Sequence, residues 1–352
     1  MARKKAGKLY ERYDLSRSPL AQSPTQRDIA QLVRESRDDL RLLATPHYKE
    51  QFLVRRTIRT GDKERDLVYP EARLRAVHER LKFHFNKIIQ PAYLMSPRKE
   101  RTQRDNAATH LEQYQYLTLD IRKFYPSTTR VMIRNSLMEQ FGMEADVAGL
   151  IAHVATADDR ACFGSPLTPV LAAIVHRPMF EAIADLCEEH EASCTVWVDD
   201  LTISARQIPG TLISGVREII ARTGLKSHKI AMRQGNRPVF ITGVGVVGRH
   251  LVVPHRTNLR TNELWERLLA AETLDEYESA SQMLLAHLGG VRHVVGPSSD
   301  RGRRIADQMN TIRQKRDKRR RKEIATHAPA GVRYLTEDEQ LARADEIAAI
   351  AF

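Results

Sequence analysis

The sequence predicts an α+β protein, with antiparallel strands whose ends meet at one sheet edge and helices that cover one face. Three observations carry this prediction. Cys194-Thr-Val-Trp-Val-Asp199-Asp200-Leu-Thr-Ile-Ser204 is a β-branched run, then two adjacent carboxylates, then a second β-branched run. Such residues favour a pleated, half-buried surface, so the acid pair reads as the tip of a β-hairpin. Tyr116-Leu-Thr-Leu-Asp120 alternates as a strand does and ends on a carboxylate. The segments around these two repeat their apolar residues at helical spacing.

At 352 residues the chain has room for two or three compact units with cores of their own. Its net charge of +12 favours a polyanionic partner, most simply nucleic acid, through phosphate neutralisation. An acidic membrane surface would give the same signature. No stretch reaches the roughly 18 apolar residues of a spanning helix, so no membrane partner is expected. The basic start, Met1 to Lys8, has no apolar segment behind it and does not read as a secretory signal. Cys162, Cys187 and Cys194 have neither disulfide-framework nor zinc-site spacing. They read as buried or incidental thiols in a reducing cytosol, and a cytoplasmic location is expected. No internal repeat is present.

Along the chain, residues 1–22 are polar and basic. Ser23-Pro24 reads as a helix start, with Ile29, Leu32, Val33, Leu40 and Leu43 on one face and an end at Thr45-Pro46. Residues 47–70 read as strand, turn at Gly61-Asp62, and returning strand, with Lys63 and Arg65 beside the turn. A basic hairpin of this kind would grip a triphosphate or a template strand; the alternative is a solvated loop. Residues 71–91 are predicted helical. A basic stretch, Ser96 to Arg104, leads to a helical Asn106-Ala-Ala-Thr-His110, whose histidine taken alone reads as structural. Residues 128–152 are predicted helical. Gly164-Ser-Pro166-Leu-Thr-Pro169 is a rigid turn into an apolar helix running through Met179, Ile183 and Leu186.

After the acid-pair hairpin, an amphipathic helix is predicted over roughly 209–223, then Gly224 to Lys229, a strand at Ile230 to Met232, and a hairpin from Val239 to Val247. Residues 262–288 are predicted as one helix stopped by Gly289-Gly290. Arg313 to Lys322 holds eight basic residues in ten and reads as a phosphate-contacting arm, the alternative being a solvated helix face. A terminal helix is predicted over 336–350, capped by Thr336.

The chemistry rests on the carboxylates. Asp-Asp also occurs at Asp38-Asp39 and Asp158-Asp159, but only Asp199-Asp200 has apolar strands on both sides. Two like charges side by side repel, and withdrawing them from water is costly without a compensating cation. Mg²⁺ suits such hard oxygens; a solvated hairpin turn is the alternative. Asp120 at a strand end faces either a metal or a partner base, although Arg122 and Lys123 would also make an ordinary ion pair. Three carboxylates on one edge would hold two Mg²⁺ ions, one activating an attacking 3′-hydroxyl and one clamping a triphosphate. That is the layout of a nucleotidyl-transferring polymerase.

In motif order and spacing the chain resembles the bacterial reverse transcriptases from about residue 48 to 300. Asp120-Ile-Arg-Lys-Phe-Tyr-Pro-Ser127 resembles the first catalytic motif. Gly164-Ser-Pro-Leu-Thr-Pro-Val-Leu-Ala172 resembles the motif that positions template and nucleotide. Trp197-Val-Asp199-Asp200 resembles the Tyr-x-Asp-Asp box, and Gly224-Leu…Lys229 the motif after it. Asn106-Ala-Ala-Thr-His110 and Ile241-Thr-Gly243 resemble two retron elements, Asn-Ala-x-x-His and Val-Thr-Gly.

The resemblance implies a right-hand architecture with fingers, an antiparallel-sheet palm and a helical thumb. Its parts would be a basic and helical extension over 1–45, fingers over 46–112, palm over 113–250, thumb over 251–312, and a basic arm with a C-terminal helix over 313–352. It implies an RNA-directed DNA polymerase with Asp120, Asp199, Asp200 and Lys229 as catalytic residues. Asp120, Ile121, Asp199 and Asp200 would hold two Mg²⁺ ions. Lys63, Arg65, Ile121, Tyr125, Gly164 and Pro166 would bind the nucleotide, with Tyr125 as a steric gate against a 2′-hydroxyl. Asn106, His110, Arg316, Arg319 and Arg320 would contact RNA.

The implied partners are dNTPs, a structured noncoding RNA serving as template and primer, its DNA product, and an effector protein; a host RNase H is a further candidate. The implied product is a branched RNA–DNA molecule extended from a guanosine 2′-hydroxyl, in anti-phage defence. Two other readings stay open: a stand-alone defence reverse transcriptase without a retron RNA, and a catalytically silent RNA-binding scaffold holding an effector. Three positions depart from the pattern: Phe163 stands for the usual Gln, Thr168 for Ser, and Trp197 for Tyr.

Overall fold

In the N-terminal segment the helices begin where short polar side chains can cap them. Thr25 caps α1 (Gln26–Leu32) through a reciprocal box with Asp28, and Ser36 caps α2 (Arg37–Ala44) by accepting from the Asp39 N–H. One continuous helix starting at Ser23 was expected here. The chain instead breaks after Leu32, where Arg34 takes φ 57, and restarts at the second cap. Thr45-Pro46 ends the helix as expected, with Thr45 closing α2, and the same pair also starts α3 (Pro46–Glu50), with proline at the first position.

The computed structural model describes residues 11–60 and 63–327. The turn Gly61-Asp62 and the helix expected over 336–350 lie outside the described residues. After α3 come β1 (Leu53–Thr60), β2 (Lys63–Pro70), α4 (Ala72–Asn86), β3 (Leu94–Ser96), α5 (Gln103–Ala108), β4 (Gln115–Ile121) and α6 (Phe124–Ser127). Then follow α7 (Arg130–Phe141), α8 (Ala145–Ala155), β5 (Thr156–Ala157), β6 (Arg160–Ala161), α9 (Thr168–Val175) and α10 (Arg177–Glu189). The acid-pair hairpin is β7 (Ser193–Trp197) with β8 (Asp200–Ala205), followed by α11 (Gly210–Arg222) and β9 (Ser227–Gln234). A small sheet of β10 (Val239–Ile241), β11 (Val244–Val247) and β12 (His250–Val252) comes next. Three helices follow it: α12 (His255–Leu269), α13 (Leu274–Val295) and α14 (Asp300–His327).

The chain divides into two compact units, Met1–Val252 and Val253–Phe352. The first is organised on a five-stranded sheet in the order β3-β7-β8-β4-β9. It is not wholly antiparallel as expected: β3 runs parallel to β7, and the other pairs are antiparallel. Leu117, Leu119, Ile121, Leu201 and Ile203 leave one face of the sheet and join Phe180, Ile183, Leu212, Val216 and Ile220 in one core. Each fully buried side chain of this size stabilises by roughly 1.5–3 kcal/mol. Thr202 and Ser204, on the opposite face of β8, are buried too, so this strand is covered on both sides.

A second core joins α1, α2, α4, α7, α8 and α9. The helix expected over 128–152 is two, because Gly142 takes φ 63 after Phe141 and closes the α7 C-terminus. The helix expected from Val170 to Leu186 also breaks, at His176. The β1–β2 hairpin is realised as expected, in a register that pairs Arg65 with Ile58.

The second unit packs α12, α13 and α14 around Leu264, Leu268, Tyr277, Leu284, Leu288, Val291, Ile305 and Ile312. A capping box of Thr273 with Glu276 starts α13 and divides the single helix expected over 262–288. Gly289-Gly290 does not stop α13, which continues to Val295. Buried Leu288 and Val291 hold both sides of the glycine pair in the core, and tertiary packing outweighs local propensity. The basic run Arg313–Lys322 lies within α14 rather than in a separate arm. Among the described residues no helix is long and apolar enough to cross a membrane.

Candidate active site

The acid pair sits at the β7–β8 tip. Val198 takes φ 62 there, a costly conformation for a β-branched residue, and it turns the chain directly into Asp199. β8 begins at Asp200, whose register partner is Trp197 on one side and Asp120 on the other. A second tie holds the edge together: the Ile121 N–H donates to the Asp199 carbonyl at 2.9 Å. Asp120 and the acid pair, distant in sequence, thus stand on the ends of adjacent antiparallel strands.

Lys229 joins them from β9, donating from Nζ to Asp120 Oδ2 at 2.6 Å. A bulge makes this possible. The β4–β9 register shifts between Thr118 and Asp120, and Lys229 occupies the irregularity at φ 52. Such an extra residue re-aims a side chain that regular alternation would send elsewhere.

Electrostatically the edge is short of positive charge. Burial raises the Asp199 pKa, and the Asp120 charge adds to the rise, while Lys229 and Arg65 oppose it. Burial pushes Asp200 up to about 6, with repulsion from Asp199 and Asp120 adding to it. The protein around the tip partly desolvates both carboxylates, although Asp200 keeps solvent contact. The hydrogen bond to Asp120 and the charges of all three acids raise the Lys229 pKa.

Hard carboxylate oxygens whose mutual repulsion is left uncompensated are the donor set that suits a divalent cation. Among the described residues, no group of three or more His, Cys, Asp or Glu side chains converges as a ready-made metal cage. One Asp120 oxygen, Oδ2, is taken by the Lys229 ammonium.

The flanking motif residues fall around this edge. Arg65, on β2, is close enough for its charge to act on Asp199. Lys63 opens the same strand. Tyr125 is partly buried, and its hydroxyl is held protonated by burial and by the Asp199 charge. Its ring packs beside Phe163 at 6.0 Å between centroids and beside Phe124 at 5.6 Å. The Phe163 carbonyl accepts from the Val68 N–H at 2.9 Å, which docks the Gly164–Pro169 turn on the β1–β2 hairpin. Gly164 needs to be glycine: φ is 118, and a Cβ there would lie 3.2 Å from Tyr69 Cβ. Pro166 lies half-buried in that turn. Thr168, in place of the usual Ser, donates its hydroxyl to the Cys162 carbonyl at 2.7 Å.

Asn106 and His110 were expected to contact RNA. Both are interior, 1% and 0% exposed. His110 bridges the acid-pair hairpin from beneath, with Nδ1 at 2.6 Å from Ser204 Oγ on β8 and Nε2 at 2.7 Å from Thr195 Oγ1 on β7. Burial pulls its pKa down to about 3, so the ring is neutral. Asn106 Nδ2 donates to Thr242 Oγ1 at 3.2 Å. The two retron-like elements therefore touch each other, and α5 ties the small sheet to the hairpin that carries the acids.

The three arginines assigned to RNA lie on α14, in the second unit. Arg319 stacks over the Tyr277 ring at 4.1 Å, Arg320 pairs with Glu278 at 3.9 Å, and Arg316 bonds Asp317 at 3.3 Å. The first two contacts join α14 to α13, and the third stays within α14.

Two further buried histidines had no signal in the sequence beyond their place on apolar helix faces. His78 donates from Nε2 to the Val154 carbonyl at 3.0 Å and accepts at Nδ1 from Ser165 Oγ at 2.6 Å. His176 lies 2.9 Å from Thr128 Oγ1 and 5.0 Å from the Phe124 ring. Burial lowers both to about 4. Each braces a motif residue, Ser165 in the turn and Phe124 beside Tyr125.

No family model matches the chain. It is similar to the retron Se72 reverse transcriptase of Salmonella heidelberg (strain 579083-10), 24% identical over 144 residues. That match covers 41% of this chain and 38% of the relative's length. Among solved structures, a foamy viral protease–reverse transcriptase in complex with double-stranded DNA aligns at a TM-score of 0.43 and 13% identity. It covers 86% of this chain and 45% of that one. An apo telomerase from Candida tropicalis, truncated from its C-terminal domain, aligns at 0.42 and 10% identity, covering 62% and 61%. The match to the curated relative thus spans well under half of either chain.

Proposed function

We propose that the chain is an RNA-directed DNA polymerase. The observation that carries this reading is the register of Asp120 with Asp200, with the Asp199 carbonyl bonded to Ile121 and Lys229 reaching Asp120. We assign 46–112 as fingers, 113–250 as palm and 251–312 as thumb. Asp120, Asp199, Asp200 and the Ile121 carbonyl would hold two Mg²⁺ ions, which when bound activate the primer hydroxyl and neutralise the triphosphate.

The chain's own groups supply the rest. Arg65 and Lys63 bring positive charge to the phosphates. The Tyr125 ring, backed by Phe163, crowds the 2′ position of the incoming sugar and favours deoxynucleotides. Lys229 keeps its proton while it is paired with Asp120. That proton is the one Lys229 would give to the leaving pyrophosphate.

The retron reading is the finer proposal: a branched RNA–DNA product made from a cognate noncoding RNA, in anti-phage defence with an effector. It is supported by the two retron-like elements, the contact between Asn106 and Thr242, and the curated relative's name. A primer-extension assay with Asp199→Ala and Asp200→Ala controls tests the polymerase; equal product from wild type and variants would refute it. Sequencing the nucleic acid that co-purifies with the chain tests the retron reading, and a sample without a single structured RNA or its DNA copy would refute that.

A further inference from the structure

Beyond the acid edge, the loop that follows Asp120 opens into a cavity of about 220 Å³, lined by Arg122, Lys123, Ser127, Gly224 and Lys226. All three cationic side chains are exposed, and none of the described ion pairs involves them. Every ionisable side chain in this lining is therefore a cation, and like charges drawn together without a counter-ion repel.

The cavity is also built rather than incidental. The Arg122 N–H donates to the Lys226 carbonyl at 2.9 Å and fastens one wall to the other. Lys123 takes φ 51, held by the Ser127 N–H donating to its carbonyl at 2.8 Å. The same loop is fixed to the acid pair through the Ile121 N–H and the Asp199 carbonyl. Gly224, at φ 78, leaves open space where a side chain would stand.

We propose that this cavity is an anion subsite that takes a pyrophosphoryl group. The class follows from its features. Lysine and arginine donors with one hydroxyl match phosphate oxygens, and the cationic count suits a multiply charged anion. A solvent-open pocket of this small volume fits a small polyanion, whereas a nucleic-acid strand needs an extended groove. Choosing pyrophosphate over another small polyanion rests on the polymerase reading: Arg122 and Lys123 follow Asp120 directly in the chain, on a loop tied to the Asp199 carbonyl through the Ile121 N–H. The ligand comes either as the tail of an incoming triphosphate or as the released product.

The test uses the full chain and inorganic pyrophosphate, with and without magnesium, in calorimetric titrations that need no synthesis. Wild type binds. Arg122→Ala and Lys226→Ala each weaken binding about ten-fold, roughly 1.4 kcal/mol, and Lys226→Arg restores most of it. Unchanged binding in both alanine variants, with folding verified by thermal melting, overturns the proposal. Primer extension then separates the two sources. Weaker product inhibition by pyrophosphate at constant KM for dNTP marks the released product; a parallel loss in both marks the triphosphate tail. A change in primer–template affinity and its salt slope, with pyrophosphate binding unaffected, overturns the site in favour of a nucleic-acid contact. Loss of pyrophosphate binding in the variants of a chain that makes no DNA would keep the site and sink the polymerase reading.

Discussion

Replacing Asp200 with asparagine removes the carboxylate most burdened by its surroundings. Its pKa moves from the ordinary 3.8 to about 6. For a shielded group, a rise of about two units would be worth roughly 3 kcal/mol. Asp200 keeps solvent contact, and screening reduces this to about 1 kcal/mol.

The sign follows from proton binding. Between pH 4 and 6 the folded state holds a proton that the unfolded chain has released. Stability from this group is therefore full below about pH 4 and is lost as pH rises through 6. Asp200→Asn lacks the titration and relieves Asp199 as well. In EDTA its Tm should match wild type below pH 4 and exceed it by about 3 °C at pH 7. Magnesium should raise the Tm of wild type more than that of the variant, and DNA synthesis by the variant should be lost. A Tm difference that stays constant from pH 4 to 8, or an equal response to magnesium, would refute the account of an uncompensated acid pair.

Three other outcomes are expected. His110→Ala leaves the Thr195 and Ser204 hydroxyls without their ring partner and opens a hole beneath the hairpin; we expect a loss of about 3 kcal/mol in urea unfolding, and an unmoved midpoint would contradict the clamp. Gly290→Ala places a Cβ in open space on a helix, so thermal melting should show a gain of about 0.5–1 kcal/mol, and any loss would contradict the helical geometry there. Tyr125→Ala should reduce discrimination between deoxy- and ribonucleotides by about ten-fold in single-nucleotide incorporation; an unchanged ratio would remove the gate.

Strand and hairpin elements were legible where chemistry interrupts a pattern. A β-branched run cut by Asp199-Asp200 has few solutions besides a hairpin tip, and the alternation before Asp120 names a strand end. Helix boundaries were less legible. The break at His176 goes with Pro178, which sits in the first turn of α10 and is hidden within an apolar run, and Gly289-Gly290 reads as a stop only while its buried neighbours are unknown. His110 was assigned to RNA by its motif, but its partners Thr195 and Ser204 lie more than 80 positions away. Phe163 stood out as a departure from a pattern; that it packs against Tyr125 came from the fold.

By itself the sequence determined which groups this chain can bring to a reaction: three strand-end carboxylates, a lysine after them, an aromatic beside them and a large excess of positive charge. Those are properties of residue type and local spacing, which short-range sterics and periodicity already constrain. Only the tertiary structure decided which of them meet. Sheet register set Asp120 against Asp200, a one-residue bulge aimed Lys229 at Asp120, and the fold turned Asn106 and His110 inward. It also drew Arg122, Lys123 and Lys226 around one cavity. Register, bulges and burial are outcomes of long-range packing, and no local pattern encodes them.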